Sequence, residues 1–456
     1  MRKIFRFLTF AGLIILGCRQ AALADYPIVS HRFLADPGAL VYKGRVYLYC
    51  SNDDDNPTTE NGGRYLMKSI VCVSSSDLKN WTDHGIVFQV PEDAEWAERS
   101  WAPSPVERDG KFFLYFGNSG NGIGIAVADN PLGSFKDPLG KALIETGTPG
   151  IMPAEHMWLF DPMVFIDDDG QAYLYCGGNG DNNVRAIKLN RDMISVDGPA
   201  IHLHAQDFFE ASWMHKYKGK YYFSYSSNPQ AQMRIDYMVS DSPVSGFKYG
   251  GIISMQPPEN NNNNHQAIFE MNGEWYEAYH NRVVARNSNI PPVHKRNLCL
   301  DQFKHNADGS IEIMKNTADG VKQLAYVNPY ERVEAETMNA QQGIYTEPCK
   351  SGGMNVCKIE NGDWIKIRGV DFGKKAKKFE ASVASSNNTG RIEIRVGSLN
   401  GKLVGTCSIA STGGAQSWET VSSKLDGIKG VQDIYLVFAG DDSENLFGFD
   451  WWKCSK

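Results

Sequence analysis

Between Asp36 and Asn281 one phrase of apolar and polar positions recurs five times: a short strand, a turn closing on glycine, and a second strand rich in aromatic residues. The copies are DPGALVYKGRVYLYCS (36–51), WAPSPVERDGKFFLYFGN (101–118), DPMVFIDDDGQAYLYCGG (161–178), EASWMHKYKGKYYFSYSS (210–227) and HQAIFEMNGEWYEAYHN (265–281). Their turn glycines, Gly44, Gly110, Gly170, Gly219 and Gly273, lie 66, 60, 49 and 54 residues apart. Lys-Gly and Asp-Gly turns between such strands predict hairpins, because glycine tolerates the positive φ of a tight turn. Further strand-like runs, as at 70–73, 123–128 and 237–240, complete a small sheet in each repeat. No single unit buries both of its faces, so a hairpin repeat of roughly 50–60 residues predicts a β-propeller of five blades.

The pattern changes near Asn328-Pro329-Tyr330. From 331 to 456, alternation at 364–367, 391–396 and 434–438, with Gly-rich turns between, predicts a separate β-sandwich of jelly-roll type. The whole chain is thus expected to be all-β, with one domain over 26–328 and a second over 331–456. A length of 456 residues agrees with two cores. Residues 1–24 read as a secretory signal: Met1-Arg2-Lys3, an apolar run over 7–17 and Ala22-Leu23-Ala24 before the cut. That run is too short to span a bilayer. Ile15-Leu16-Gly17-Cys18 offers an alternative, a lipid anchor at Cys18. Either way the protein is expected to be secreted, periplasmic or anchored at the envelope.

The net charge of −7 is mild and no basic stretch stands out, so nucleic acid is not an expected partner. Of nine cysteines, Cys50 and Cys176 hold the same place in two repeats and read as buried strand residues. In an oxidising compartment Cys349 with Cys357, or Cys407 with Cys454, are the candidate bridges. No Cys/His cluster has zinc spacing. The all-Asn run 260–264 before His265 reads as a polar loop at the mouth of the fold.

The register of the repeat carries the chemistry. Eight or nine residues before each turn glycine stand Asp36, Trp101, Asp161, Glu210 and His265. Strand starts of this kind converge on a propeller axis, which gathers three carboxylates, an indole and an imidazole in one place. The competing reading, acids that merely cap strands and turns, suits Asp167, Asp168 and Asp169 but not a shared register. Carboxylates crowded into a narrow pocket cannot all ionise, so one keeps a proton near neutrality. This argument selects the trio without assigning its roles.

With these motifs in hand, residues 26–325 resemble the family-43 glycoside hydrolases. The resemblance rests on Ala35-Asp36-Pro37, Trp101-Ala102-Pro103, Phe160-Asp161-Pro162 with Asp167-Asp168-Asp169-Gly170, Glu210-Ala211-Ser212, and Arg296 ahead of Asp308-Gly309. It implies a five-bladed propeller that hydrolyses xylan- or arabinan-type glycosides with inversion. It further implies Asp36 as general base, Glu210 as general acid, and Asp161 as the group that orients Glu210 and keeps it protonated. Trp101 is expected as a wall of the sugar site, and Arg296 as a contact to a sugar hydroxyl or a pocket carboxylate. For His265 the resemblance offers two places, near a central calcium or hydrogen-bonded to a catalytic carboxylate.

Residues 331–456 resemble the family-6 carbohydrate-binding modules through Val333-Glu334-Ala335-Glu336, Asn361-Gly362-Asp363-Trp364, Val370-Asp371-Phe372-Gly373 and Phe449-Asp450-Trp451-Trp452. The implied sugar-stacking aromatics are Trp364 and Trp418, and Glu334, Glu336 and Asp450 are the implied ligands of a structural calcium. Gly448 departs from the family, which has a sugar-contacting Asn there. No cofactor is expected for the chemistry itself. Together the two resemblances imply an α-L-arabinofuranosidase acting on arabinoxylan, with β-D-xylosidase second and endo-arabinanase third. The contrasting class is a sugar-binding protein without hydrolysis, which would not need three acids in register.

Overall fold

The computed structural model describes residues 27–57, 65–256, 263–386, 389–441 and 445–456. The leader read over 1–24, with its cleavage site and Cys18, lies outside the described residues, as does most of the Asn run. Among the described residues no helix is long and apolar enough to cross a membrane.

The architecture is all-β; among the described residues one short α-helix, Val283–Asn287, interrupts it. Residues 34–303 form five antiparallel sheets. The first holds Leu34–Tyr42, Arg45–Asn52, Ser69–Ser75 and Trp81–Gln89. The second holds Trp101–Arg108, Lys111–Gly117 and Ile123–Ala128. Met163–Ile166, Ala172–Cys176, Val184–Leu189 and Ile201–Leu203 make the third. The fourth comprises Phe208–Tyr217, Lys220–Ser227, Arg234–Ser240 and Lys248–Met255. Gln266–Met271, Glu274–Asn281 and Asn297–Phe303 form the fifth.

The turn chemistry explains the hairpins. Lys43-Gly44, Asp109-Gly110, Lys218-Gly219 and Asn272-Gly273 all have positive φ at both residues, the twist that suits a two-residue hairpin. The opening strands of the five sheets touch in ring order: first to second, second to third, third to fourth, fourth to fifth, and fifth back to first. Gly38 permits the closest of these approaches, since a Cβ there would fall 2.0 Å from the Pro103 carbonyl oxygen. Alternate residues of the strands feed apolar clusters between neighbouring sheets, such as Leu48, Val73, Tyr175, Phe223 and Leu300.

Residues 333–455 form two further sheets around a second core that includes Val356, Ile365, Ile394, Leu436, Phe449 and Trp452. All eight described cysteines are buried free thiols, so neither candidate bridge forms. Cys407 and Cys454 belong to different sheets and pack as small apolar side chains in the core. Cys357 faces Tyr345 across its hairpin, while the Cys349 thiol meets Ser351 Oγ at 3.0 Å in the turn.

The two regions are joined by more than their linker. Thr337–Met338 pairs with Thr82 and Trp81 and extends the first sheet by a strand. Beside it, buried Asp83 accepts hydrogen bonds from Arg32 Nε (2.6 Å), His31 Nε2 (3.0 Å) and Thr346 Oγ1 (2.6 Å). Asn80 and Arg368 exchange a reciprocal pair of bonds at 2.8 and 2.9 Å.

Candidate active site

Asp36, Asp161 and Glu210 meet where the opening strands converge, and all three are buried. The structure refines their register. The positive-φ position at the start of the opening strands is held by Asp36, Ala102, Asp161 and Ala211. Trp101 and Glu210 therefore stand one residue earlier than the two aspartates. In the first, second and fourth sheets this position lies within a shift of pairing register. Such bulges re-aim side chains at the end of a ladder. Aspartate and alanine are small enough to hold the left-handed conformation there, and aspartate is among the residues that adopt it most readily.

The electrostatics separate the three acids. Arg296, 1 % exposed, donates from Nη1 to Asp36 Oδ1 at 2.5 Å. Its Nε and Nη2 fork onto the two oxygens of buried Asp53, each at 2.8 Å, and its backbone N–H adds a third bond to Asp53 at 2.8 Å. Burial alone would lift the Asp36 carboxyl. The Arg296 guanidinium, aided by His280 and His265, outweighs it and holds the group at about 2. Nothing comparable offsets burial at the other two. Burial and then the neighbouring Asp36 push Asp161 well above the ordinary carboxyl range. Burial, then Asp161 and Asp36, push Glu210 well up in the same way. Asp161 Oδ2 also accepts the Ala211 N–H at 3.2 Å, which ties it to the backbone beside Glu210.

His265 sits between the aspartates, with Nδ1 3.7 Å from Asp161 Oδ2 and 3.9 Å from Asp36 Oδ1. Burial holds its imidazole down at about 4, so it is neutral at pH 7. His280, which the repeat places at the end of the fifth hairpin, accepts the Asp36 N–H at Nδ1 (3.2 Å), and its Nε2 faces the Asn263 carbonyl (3.2 Å). Glu210 lines a cavity of about 330 Å³ together with Tyr65, Trp101, Trp158, Phe160, Phe209 and Asn263. The Arg296 guanidinium stacks 4.6 Å from the Tyr65 ring centroid. Trp101 Nε1 is buried without a protein acceptor.

Arg296 thus meets a pocket carboxylate, one of the two expectations for it, and its other partner was not foreseen. Asp53 opens the run Asp53-Asp54-Asp55 and is a buried anchor for Arg296. Asn263 agrees with a polar loop at the mouth: it lies outside any strand, lines the cavity and accepts a bond from Arg282 through its side chain.

In the second region Trp364 is 2 % exposed, with Nε1 bonded to Gln342 and its ring against Tyr435. It offers no face to a sugar, a correction caused by its strand being covered on both sides. Trp418 is half-buried, and its ring tip lies 3.1 Å from where a Cβ on Gly448 would stand. Trp418 therefore occupies the space that a side chain at 448 would use. Among the described residues no group of three or more His, Cys, Asp or Glu side chains is placed to hold a metal ion. Arg332 bridges Glu334 (2.7 Å) and Asp450 (3.2 Å), whereas buried Glu336 keeps one oxygen unpartnered.

Three buried acidic side chains in unlike electrostatic surroundings, one of them lining an aromatic-walled cavity, suit a glycoside hydrolase site. The sequence model of "Glycosyl hydrolases family 43" matches residues 25–311, and that of "Carbohydrate binding module (family 6)" matches 334–456. The chain belongs to glycosyl hydrolase family 43. It is 42 % identical to an arabinoxylan arabinofuranohydrolase of Paenibacillus polymyxa, over 94 % of this chain and 74 % of that protein. The crystal structure of a family-43 arabinoxylan arabinofuranohydrolase from Bacillus subtilis, in complex with cellotetraose, superposes with a TM-score of 0.90 at 40 % identity. That match covers 95 % of this chain and 98 % of the other. An α-L-arabinofuranosidase from Clostridium thermocellum is 57 % identical over 66 % of this chain and 99 % of its own, with a TM-score of 0.58.

Proposed function

We propose that this protein removes α-L-arabinofuranosyl groups from arabinoxylan, with inversion, in a five-bladed propeller followed by a jelly-roll binding module. The ring order of contacts among the opening strands supports the propeller reading. One observation carries the chemistry: Arg296 pins Asp36 as a carboxylate while burial and like charge keep a proton on Glu210.

Inversion needs one carboxylate and one carboxylic acid flanking the scissile bond, with room for a water between. Asp36 accepts a proton from that water as it attacks the anomeric carbon. Glu210 gives its proton to the departing xylan oxygen. A base held at about 2 is weak, so its contribution is to hold and aim the water. Asp161 fixes the backbone beside Glu210 and raises its proton affinity. Trp101, which walls the cavity, offers the bound pentose an aromatic surface. The identity to arabinofuranohydrolases along nearly the whole chain favours arabinose over xylose as the released sugar. A polymeric plant substrate agrees with export of the chain by the leader read over 1–24.

Incubation with arabinoxylan, debranched arabinan and xylo-oligosaccharides tests this directly. Arabinose released from arabinoxylan, and lost in Glu210→Gln, is the expected result. Xylose released from the oligosaccharides instead would make the protein a β-xylosidase with the same trio. An anomer of retained configuration in the first-formed product would refute the role given to Asp36.

A structural calcium among Glu334, Glu336 and Asp450 is a separate proposal. The unpartnered oxygen of buried Glu336 supports it, and the Arg332 bridge, which already supplies positive charge to the other two, competes with it.

A further inference from the structure

A second cleft, of about 330 Å³, opens between the two regions. One wall is Arg32, Phe33, Asp54 and Ser288 of the catalytic region; the other is Gln341 and Tyr345 of the module. We infer that this cleft binds a further stretch of the neutral polysaccharide main chain whose branch is cleaved at Glu210. The inference rests on the functional reading above.

The cleft has the chemistry of a sugar site. Tyr345 presents a ring that is 53 % accessible; Lys358 Nζ stands 4.8 Å from its centroid on one face, and the other is of the kind on which pyranose C–H faces stack. Gln341, at the cleft wall, is fixed by donating to Ser30 Oγ at 3.1 Å. Charge points to a neutral chain. The Arg32 guanidinium is held by Asp83 and by Thr346 Oγ1 at 3.0 Å, and Asp54 lies 4.0 Å from its Nη1. Arg32 is thus already bonded by Asp83 and faces Asp54, which disfavours a uronate at that wall.

The cleft is also built into the catalytic framework. Phe33 precedes Asp36 by three residues, just ahead of the strand Leu34–Tyr42. Asp54 follows Asp53, which anchors Arg296. The segment from Arg282 to Arg296 runs from the Asn263 contact at the active cavity, past Ser288 in the cleft, and back to Asp36. The shared strand with Thr337–Met338 and the bonds to Asp83 hold the two walls at a fixed separation, so the site is preorganised.

The test compares kcat/KM on polymeric arabinoxylan with that on an aryl α-L-arabinofuranoside, which is too small to reach the cleft. Tyr345→Ala removes the stacking face, and Ser288→Trp, on an exposed residue of the catalytic region, fills the cleft from the other side. Both should lower the polymer-to-aryl ratio about tenfold, chiefly through KM. Ratios within twofold of wild type in both variants would overturn the inference while leaving the catalytic reading intact. If the wild type cleaves neither substrate, the catalytic reading falls. Calorimetric binding of xylohexaose to the full-length wild type and to Ser288→Trp then decides the cleft separately: weaker binding in the variant supports it, and equal binding refutes it.

Discussion

Glu277 lies in the fifth sheet with no exposure. It accepts one hydrogen bond from Ser254 Oγ at 2.9 Å, and its second oxygen has no partner. Burial, with the nearby Asp301 adding and Ser254 opposing, pushes its carboxyl from 4.5 up to about 8. The folded protein therefore keeps a proton that the unfolded chain releases at pH 4.5. The associated stability is fully present below pH 4.5 and is lost as the pH rises through about 8. At about 1.4 kcal/mol per pH unit, the loss is roughly 5 kcal/mol in full and roughly 3 kcal/mol by pH 7. Glu277→Gln preserves the shape and has no proton to lose. Its melting temperature should match wild type near pH 4.5 and exceed it by roughly 5 °C at pH 7, at about 2 °C per kcal/mol for a domain of this size. Scanning calorimetry at one scan rate across pH 4.5 to 8.5 measures the difference. A gap that stays constant over that range would refute the argument, whatever its size.

Three other outcomes follow from the site and the module. Arg296→Lys keeps the charge but cannot serve Asp36 and fork onto Asp53 together; the acid limb of kcat/KM should move up from about pH 2 by at least one unit, and stability should fall by roughly 2–4 kcal/mol. If the module holds calcium, EDTA should lower the melting temperature of the wild type and leave Glu336→Gln unchanged. Trp364→Ala should destabilise the module by roughly 3–5 kcal/mol, measured by urea unfolding, whereas Trp418→Ala should instead weaken retention on insoluble xylan.

The hairpins and the catalytic acids were legible because both follow local rules. A two-residue turn demands its glycine, and a repeat displays the same strand start five times, so Asp36, Asp161 and Glu210 stand out against their own copies. The exact register did not, because a bulge moves Trp101 and Glu210 one residue without altering the motif. Asp53 and His280 were invisible for another reason. Each earns its role from a partner more than 240 positions away along the chain, Arg296 for the first and Asp36 for the second. Trp364 shows the converse: a motif can place an aromatic residue in a strand without saying that another strand and Tyr435 will cover it.

The strand Thr337–Met338 changes what it means to divide this chain. The part of the edge strand that it covers, at Trp81 and Thr82, carries unpaired backbone groups once that strand is gone. An open edge of this kind is a template for pairing with any other chain, and proteins avoid leaving one bare. The module therefore closes the first sheet as well as adding a binding surface. A catalytic fragment cut at the apparent boundary near 328 would carry a vacant edge and an Asp83 without its Thr346 bond, exposed to self-association rather than merely deprived of an accessory.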